Sequence, residues 1–450
     1  MKDTSKLLRW AGCSTCCISI GWLLTGCKGV PVSSETKARA DLQRVAESYR
    51  PENRPPTLPV LKAEGGLSNY LHYAILNHPQ VESAYYDWVA SIERITVSRS
   101  FPDPRLTFQA DIQDIVTSVM PGLMVDLPGP GKRHAAAGAA SAESEVKYFT
   151  FETKALQVAF NLKQAYYRLH LLNSKLEVNG QTLALLKDLE KLARTQNETG
   201  KGTLQDVLRA QIEQDRLDTE IENLKDSRSF LMAQFKAALG MKSETPEPPF
   251  PSKFETTALD LTSSLATALR RNPRLKGMEA EVRQAEAAIT VARKGRIPDF
   301  SIGLEADAKM SPTLFRPQGS VTLPIWRDKL AAQIAEAQAG KRSAEARLTA
   351  EQIGLAVDFA EKSFMAREND RNLDLFQKRL LPKAEQALEV SRSAYLSGLT
   401  DFLNVIDAER TLLNFQLMEI EARAGREIVL AELSLVIVGT PPGGVLKPIN

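Results

Sequence analysis

Gly200-Lys201-Gly202-Thr203-Leu204-Gln205-Asp206-Val207-Leu208 and Gly398-Leu399-Thr400-Asp401-Phe402-Leu403-Asn404-Val405-Ile406 carry one pattern twice. A glycine breaks the chain, a short polar turn follows, and an acid opens a new run of apolar residues at helical spacing. The likeness extends in both directions. Asn77-His78-Pro79 matches Arg271-Asn272-Pro273, Ile95-Thr96-Val97 matches Ile289-Thr290-Val291, and Pro104 matches Pro298, all at a separation of 194 residues. Val125-Asp126-Leu127-Pro128 matches Val321-Thr322-Leu323-Pro324, and each copy ends at a glycine, Gly240 or Gly439. The unit is roughly 190 residues, far longer than a solenoid repeat of about 20–50.

Upstream of each glycine break the punctuation is sparse. No proline occurs between Pro130 and Pro246, and Leu169, Leu172, Leu176, Leu183 and Leu186 recur at helical spacing. A helix from about residue 132 to 198 would be roughly 100 Å long, a coiled-coil-like rod rather than a globular element. A return helix is predicted from about 203 to 239. The second copy predicts a rod from about 327 to 397, disturbed near Pro382, and a return from 401 to 437. Ahead of each rod the period switches to two. Leu106, Phe108, Ala110 and Ile112 alternate with Thr107, Gln109, Asp111 and Gln113, and Phe300, Ile302, Leu304 and Ala306 alternate with Ser301, Gly303, Glu305 and Asp307. These are strands with one apolar and one polar face. Second strands are expected near Leu123–Leu127 and Gln318–Leu323, after turns holding Pro121-Gly122 and Ser311-Pro312. Their lengths suit membrane-crossing β-strands, and a soluble hairpin packed on the helices is the alternative. Four strands cannot close a barrel, so hairpins in a membrane require several chains to pool them.

Composition narrows the class. The 450 residues are 43% apolar and 25% charged, with 57 basic and 55 acidic side chains, an ordinary globular balance with no nucleic-acid footprint. No apolar stretch after residue 30 reaches the ~20 residues of a spanning helix, which excludes a polytopic helical membrane protein. All four cysteines, Cys13, Cys16, Cys17 and Cys27, lie at the start, where Lys2, Lys6 and Arg9 precede an apolar run. That is a secretory-signal pattern, and Leu24-Thr25-Gly26-Cys27 resembles a bacterial lipobox with Cys27 as the lipid attachment site. Cleavage there removes three of the 57 basic and one of the 55 acidic side chains, leaving 54 of each and one cysteine. The expected organisation is a lipoprotein signal over 1–26, an arm over 27–66, repeat 1 over 67–245, a proline-rich linker over 246–257, repeat 2 over 258–440 and a tail over 441–450. Pro51–Pro59 is expected to detach the arm from the first copy.

The duplicated plan resembles the TolC-like family of outer-membrane efflux channels. The resemblance is carried by Tyr395-Leu396-Ser397-Gly398-Leu399-Thr400-Asp401-Phe402-Leu403-Asn404-Val405-Ile406-Asp407-Ala408-Glu409-Arg410, similar to that family's tyrosine–glycine turn and aspartate-containing helix start. Leu127-Pro128-Gly129-Pro130-Gly131-Lys132-Arg133 resembles the corresponding stretch of its heavy-metal branch. The resemblance implies a mainly α fold with a small β part: a homotrimer pooling twelve strands into one barrel, continued by an α-helical periplasmic barrel. It implies an inner-membrane pump and a periplasmic adaptor as partners, with outer-membrane lipid around the barrel. Adaptor contacts would fall at Thr199, Gly200, Lys201 and Gly202 and at Ser397, Gly398, Leu399 and Thr400. Spacings of three place Asp401, Asn404 and Asp407 on one helical face, which the resemblance makes a periplasmic gate. Helix capping is the other reading of Asp401, and a salt bridge to Arg410 the other reading of Asp407. Lys201 is a candidate neutralising base.

Other motifs carry less. Gly129-Pro130-Gly131-Lys132 lacks the Gly and Ser/Thr that a phosphate loop needs, since Asp126 and Arg133 stand there. His72, His78, His134 and His170 show no ligand spacing, Met120 and Met124 fit hairpin packing, and no catalytic constellation occurs, so neither a metal site, a cofactor nor an enzyme is expected. The rival to a passive duct is a periplasm-bridging structural or adaptor coiled-coil lipoprotein.

Overall fold

A computed structural model describes residues 30–112, 116–257, 265–307 and 312–441. It is mainly helical with one small sheet. The first half runs α1 (Ser33–Tyr49), α2 (Leu67–Asn77), α3 (Pro79–Arg99), β1 (Arg105–Ile112), β2 (Val116–Leu127), α4 (Lys132–Glu198) and α5 (Leu204–Ala238). The second runs α6 (Leu265–Arg271), α7 (Pro273–Lys294), β3 (Asp299–Asp307), β4 (Leu314–Thr322), α8 (Arg327–Leu375), α9 (Leu381–Leu396) and α10 (Phe402–Glu432). Apart from α1, the element order of the first half recurs in the second. The 67 residues of α4 make a rod of about 100 Å. The second rod is interrupted as Pro382 suggests. A π-helical segment, Phe376–Leu380, immediately precedes it, widening the turn where the proline withholds its N–H.

The four strands form one antiparallel sheet in the order β1-β2-β3-β4. Pro121 and Gly122 are not the hairpin turn. They lie inside β2, opposite Phe108 and Thr107, and β2 starts five residues earlier at Val116. Pro121 stands just before the run paired with β3, which begins at Gly122↔Glu305, so it interrupts no bond of that ladder. Likewise β4 begins at Leu314, four residues before the expected Gln318.

The largest core gathers α1–α5 around Tyr49, Tyr70, Phe151, Tyr166, Tyr167 and Phe235, all under 2% exposed. The arm, expected to be detached, and the proline-rich linker are both fastened to it. The arm helix α1 is docked: Glu35 is buried and paired with Arg99 and Arg39, and Arg39 forks onto Glu93 with two 2.9 Å bonds. The linker is strapped along α2 and α4: Tyr70 of α2 donates to the Pro249 carbonyl (2.7 Å), and on α4 Tyr167 donates to the Glu255 carbonyl (2.9 Å) and Tyr166 to the Lys253 carbonyl. Proline-rich composition removed helix from these stretches but left their carbonyls free to accept such bonds.

Candidate functional site

The sheet separates two chemistries. Across the strands, Leu106 faces Leu123, Leu123 faces Leu304, and Leu304 faces Pro317; Val125 faces Ile302; Leu127 faces Phe300, which faces Val321. These side chains form one continuous apolar face, and its large members are exposed: Leu106, Phe108, Leu123, Phe300, Ile302, Leu304 and Val321. The opposite face is polar. There Arg105 pairs with Asp126 (2.8 Å), Ser301 donates to Asp126 (2.7 Å), Arg316 pairs with Asp307 (3.2 Å), and Glu305 and Asp307 are buried. A water-soluble hairpin turns its apolar face inward. This sheet does the reverse, which suits a wall between lipid outside and water inside. Strands β1 and β4 each leave one edge unpaired within the chain.

At the sheet's base the glycine-rich segment is a structural clamp. Gly129 N–H and Lys132 Nζ both donate to Asp299, at 2.7 and 2.8 Å, tying the end of β2 to the start of β3. A Cβ on Gly129 would come within 2.3 Å of the Pro298 carbonyl oxygen, so only glycine fits. Arg133 donates to the Arg99 carbonyl and stacks 3.4 Å from the Phe101 ring centroid. The lysine a phosphate loop would need is already engaged by a carboxylate.

At the far end of the rods the two tips turn alike. Gly200 and Gly398 take left-handed backbone angles, φ +70° and +71°, and both open into the second helix of their hairpin. In the first tip Thr203 and Asp206 form a reciprocal capping box (3.1 and 3.3 Å), which assigns Asp206 a local structural role. The second tip lacks that box. Asp401 occupies the N-cap position of α10, but its side chain makes no capping bond. Thr199, Gly200, Lys201, Ser397, Gly398 and Leu399 are exposed, and Leu399 is 82% accessible, a free apolar knob at the apex.

Helix α10 has two faces in its first turns. Phe402, Val405, Ile406 and Glu409 are buried against α4, α5 and α9, in a core with Leu186, Leu189, Val207, Leu388 and Tyr395. Asp401, Asn404, Asp407 and Arg410 point away and are exposed. The spacing of three therefore does bring the gate candidates onto one face. Asn404 donates to Thr400 Oγ1 (2.5 Å), and Asp407 lies 3.8 Å from Arg410, whose other nitrogen donates to Glu213 of α5. Within the chain the base beside Asp407 is Arg410, and Lys201 sits on the other tip.

Sequence reasoning missed Glu409 as a site residue. It is 2% exposed, and its Oε1 has no hydrogen-bond partner. Burial, with the neighbouring Glu213 carboxylate, pushes its pKa up to about 7 against the smaller pull of Arg410. The signal was available: Glu409 continues the buried i, i+3, i+4, i+7 stripe of Phe402, Val405 and Ile406, where an acid is out of place.

Residues 265–437 match the family described as Outer membrane efflux protein. That match covers the second copy, α6 to α10 with β3 and β4. The cobalt-zinc-cadmium resistance protein CzcC of Cupriavidus metallidurans is 21% identical over 332 residues, spanning 71% of this chain and 77% of that one. Among solved structures, VceC of Vibrio cholerae superposes with a TM-score of 0.70 at 17% identity, covering 83% of this chain and 96% of that one. The open-state MtrE outer membrane channel of Neisseria gonorrhoeae gives 0.73 at 15% identity, covering 87% and 99%. In this fold the outward apolar sheet and the long rods are two parts of one object. No described helix is long and apolar enough to cross a membrane, and among the described residues no group of three or more His, Cys, Asp or Glu could hold a metal ion. His170 is buried among Tyr166, Phe250 and Phe254, and burial lowers its pKa to about 4, so it is an uncharged core residue. Met120 is buried within β2, its sulfur 3.5 Å from Arg316. Cys27 and the rest of the signal segment lie outside the described residues.

Proposed function

We propose that this chain is the outer-membrane channel of a tripartite efflux system, a passive exit duct driven by an inner-membrane pump. The observation that carries the reading is the sheet: apolar outside, polar inside, open at both edges, and continuous with rods of about 100 Å. With four strands of alternating direction, β4 of one chain meets β1 of the next antiparallel, so every seam is alike. Three chains give a closed twelve-stranded barrel above a helical tube, both built from the duplicated unit. The cobalt-zinc-cadmium resistance relative points to metal ions or small toxic compounds as cargo. A bridging or adaptor lipoprotein has no use for an apolar sheet face turned outward.

In this assembly the exposed tips, Thr199–Gly202 and Ser397–Thr400, meet the periplasmic adaptor, with Leu399 as an apolar anchor. Asp401, Asn404 and Asp407 recur three times around the axis and form an acidic constriction that favours cations. Cys27 carries the lipid. Helix α1 starts six residues later at Ser33 and is pinned to Arg99, six residues before β1, which keeps the anchor at membrane level. The deciding experiment is single-channel recording in planar bilayers. The wild-type protein should conduct, and Asp407→Ala and Asn404→Ala should be leakier and less cation-selective. An absence of conductance would sink the duct, and unchanged selectivity in both variants would sink the gate.

A further inference from the structure

Between the α4–α5 hairpin and α10 lies a cavity of about 380 Å³. Two of its lining side chains are buried and hold an oxygen with no donor: Asn179 Oδ1 from α4 and Glu409 Oε1 from α10, each residue 2% exposed. Bare buried acceptors are costly, and two lining one cavity call for a shared donor. The neighbouring cations do not supply it. Arg410 is held by Glu213, and Lys175 of α4 is held by Glu421 at 2.6 Å. Arg216 and Glu220 of α5 line the solvent side of the cavity and are exposed. Asp407, 3.8 Å from Arg410, faces outward.

We propose that Glu409 is a proton-binding latch, protonated when α10 is seated on the α4–α5 hairpin and ionised when that end of α10 is released. A single proton on Oε1 turns one orphaned acceptor into a donor that the other can accept, directly or through one water. It also leaves Arg410 to Glu213 and, more distantly, Asp407, with no third carboxylate competing for it. When the proton leaves for bulk water, two carboxylates share an arginine already engaged by one of them, in a site that water reaches poorly. The charge is relieved only if α10 moves away or Arg410 abandons Glu213, and either change loosens the joint between α10, which bears Asp407, and the α4–α5 hairpin. Phe402, Val405 and Ile406 hold the same joint by packing, so the proton sets a bias on a contact that already exists.

The sign follows from the raised proton affinity of the seated state. Seating is fully favoured below the ordinary carboxylate value of 4.5, is lost progressively as pH rises toward about 7, and changes no further above that. Each pH unit inside that window shifts the seated-to-released ratio about tenfold, on the order of 300-fold in all. The latch stands on the packing of α10 alone, while its effect on transport rests on the duct reading.

Nitroxide labels on Lys201→Cys and Leu399→Cys of the full chain in nanodiscs report the separation of the two tips. Pulsed electron paramagnetic resonance from pH 4 to 8 should show the tips parting as pH rises from about 4.5 to about 7, with no further change above that. E409Q, which keeps a donor and never ionises, should stay closed throughout, and E213Q should move the midpoint to lower pH. A wild-type distance that ignores pH, or an E409Q protein that parts like wild type, overturns the latch. Tips that part on schedule in a protein that conducts no ions would instead refute the duct and leave the latch standing.

Discussion

An arginine placed along β3 should destabilise the assembly in proportion to its depth. The strand leaves the helical region at Asp299 and runs to Asp307, with Phe300, Ile302 and Leu304 on the outward face. At about 3.3 Å per residue, Leu304 lies some 13 Å along the strand from Phe300, or about 10 Å along the membrane normal after a tilt near 40°. The apolar band of such a barrel is about 25 Å tall, which puts Phe300 near its inner interface and Leu304 close to the midplane. Leu304→Arg should then cost about 2–4 kcal/mol per chain, and Phe300→Arg about 0–1. In the proposed trimer, with three copies, Leu304→Arg would remove roughly 6–12 kcal/mol, comparable with the whole net stability of a typical domain. Gln109→Arg is the control: Gln109 pairs with Met120 on the other face, and a surface change there should stay within about 0.5 kcal/mol. The assay is the fraction of heat-resistant trimer on unheated gels, with thermal dissociation curves of the purified protein. Equal losses for Phe300→Arg and Leu304→Arg, or a loss in Gln109→Arg matching that in Leu304→Arg, would refute the assignment of the outward face to lipid.

Two more outcomes follow from the arm. Glu35 is 1% exposed, and although burial alone would raise its pKa, hydrogen bonds from Arg99, Thr96 and Arg39 outweigh that and hold it below the ordinary value. Its contribution is therefore present above about pH 4.5 and lost as pH falls further, so the difference in melting temperature between wild type and Glu35→Gln, about 3 kcal/mol of local stability at neutral pH, should shrink in acid; a gap that widens would contradict this. Cys27→Ser should abolish acylation and leave unprocessed precursor, read by intact mass; a mature start elsewhere without lipid would end the assignment.

Much of this architecture is legible because its signals are local. A stretch without proline and with leucines at helical spacing can hardly be anything but a rod, and each left-handed glycine marks its end. The apolar and polar alternation of β1 and β3 survives folding unchanged, because the register that pairs Leu106 with Leu123 and Leu123 with Leu304 keeps like faces together. What failed depended on partners distant in sequence. Pro121-Gly122 looks like a turn until β3 shows where the pairing of β2 begins. The arm looks free until Glu35 meets Arg99, 64 residues away. Glu409 looks like one more helix acid until Asn179 and Glu213, some 200 residues earlier, close over it.

The two copies are not energetically equivalent, and their difference indicates where neighbouring chains belong. Helix α4 buries 24 of its 67 residues within its own chain, whereas α8 buries only Ala344, Leu355, Ser363 and Ala366 of 49. A rod so poorly covered should be polar all round, yet Ile353, Val357 and Phe364 stay on its surface, 63%, 60% and 51% exposed. On the first copy Ile212 and Phe230 of α5 are exposed in the same way. In the sheet the unpaired edges belong to β1 and β4, one from each copy. The first copy, with the tyrosine-strapped linker and the docked arm, builds most of the core of a single chain. The second copy leaves apolar side chains of α8 uncovered and carries both π-helical segments among the described residues, Phe376–Leu380 and Leu433–Ile437. If both halves were self-sufficient, these surfaces would have no physical reason to be apolar. In the proposed ring, where β4 pairs with the next chain's β1, the second copy's bare rod would find its cover on the next chain's exposed α5 face, so that both seams would form together.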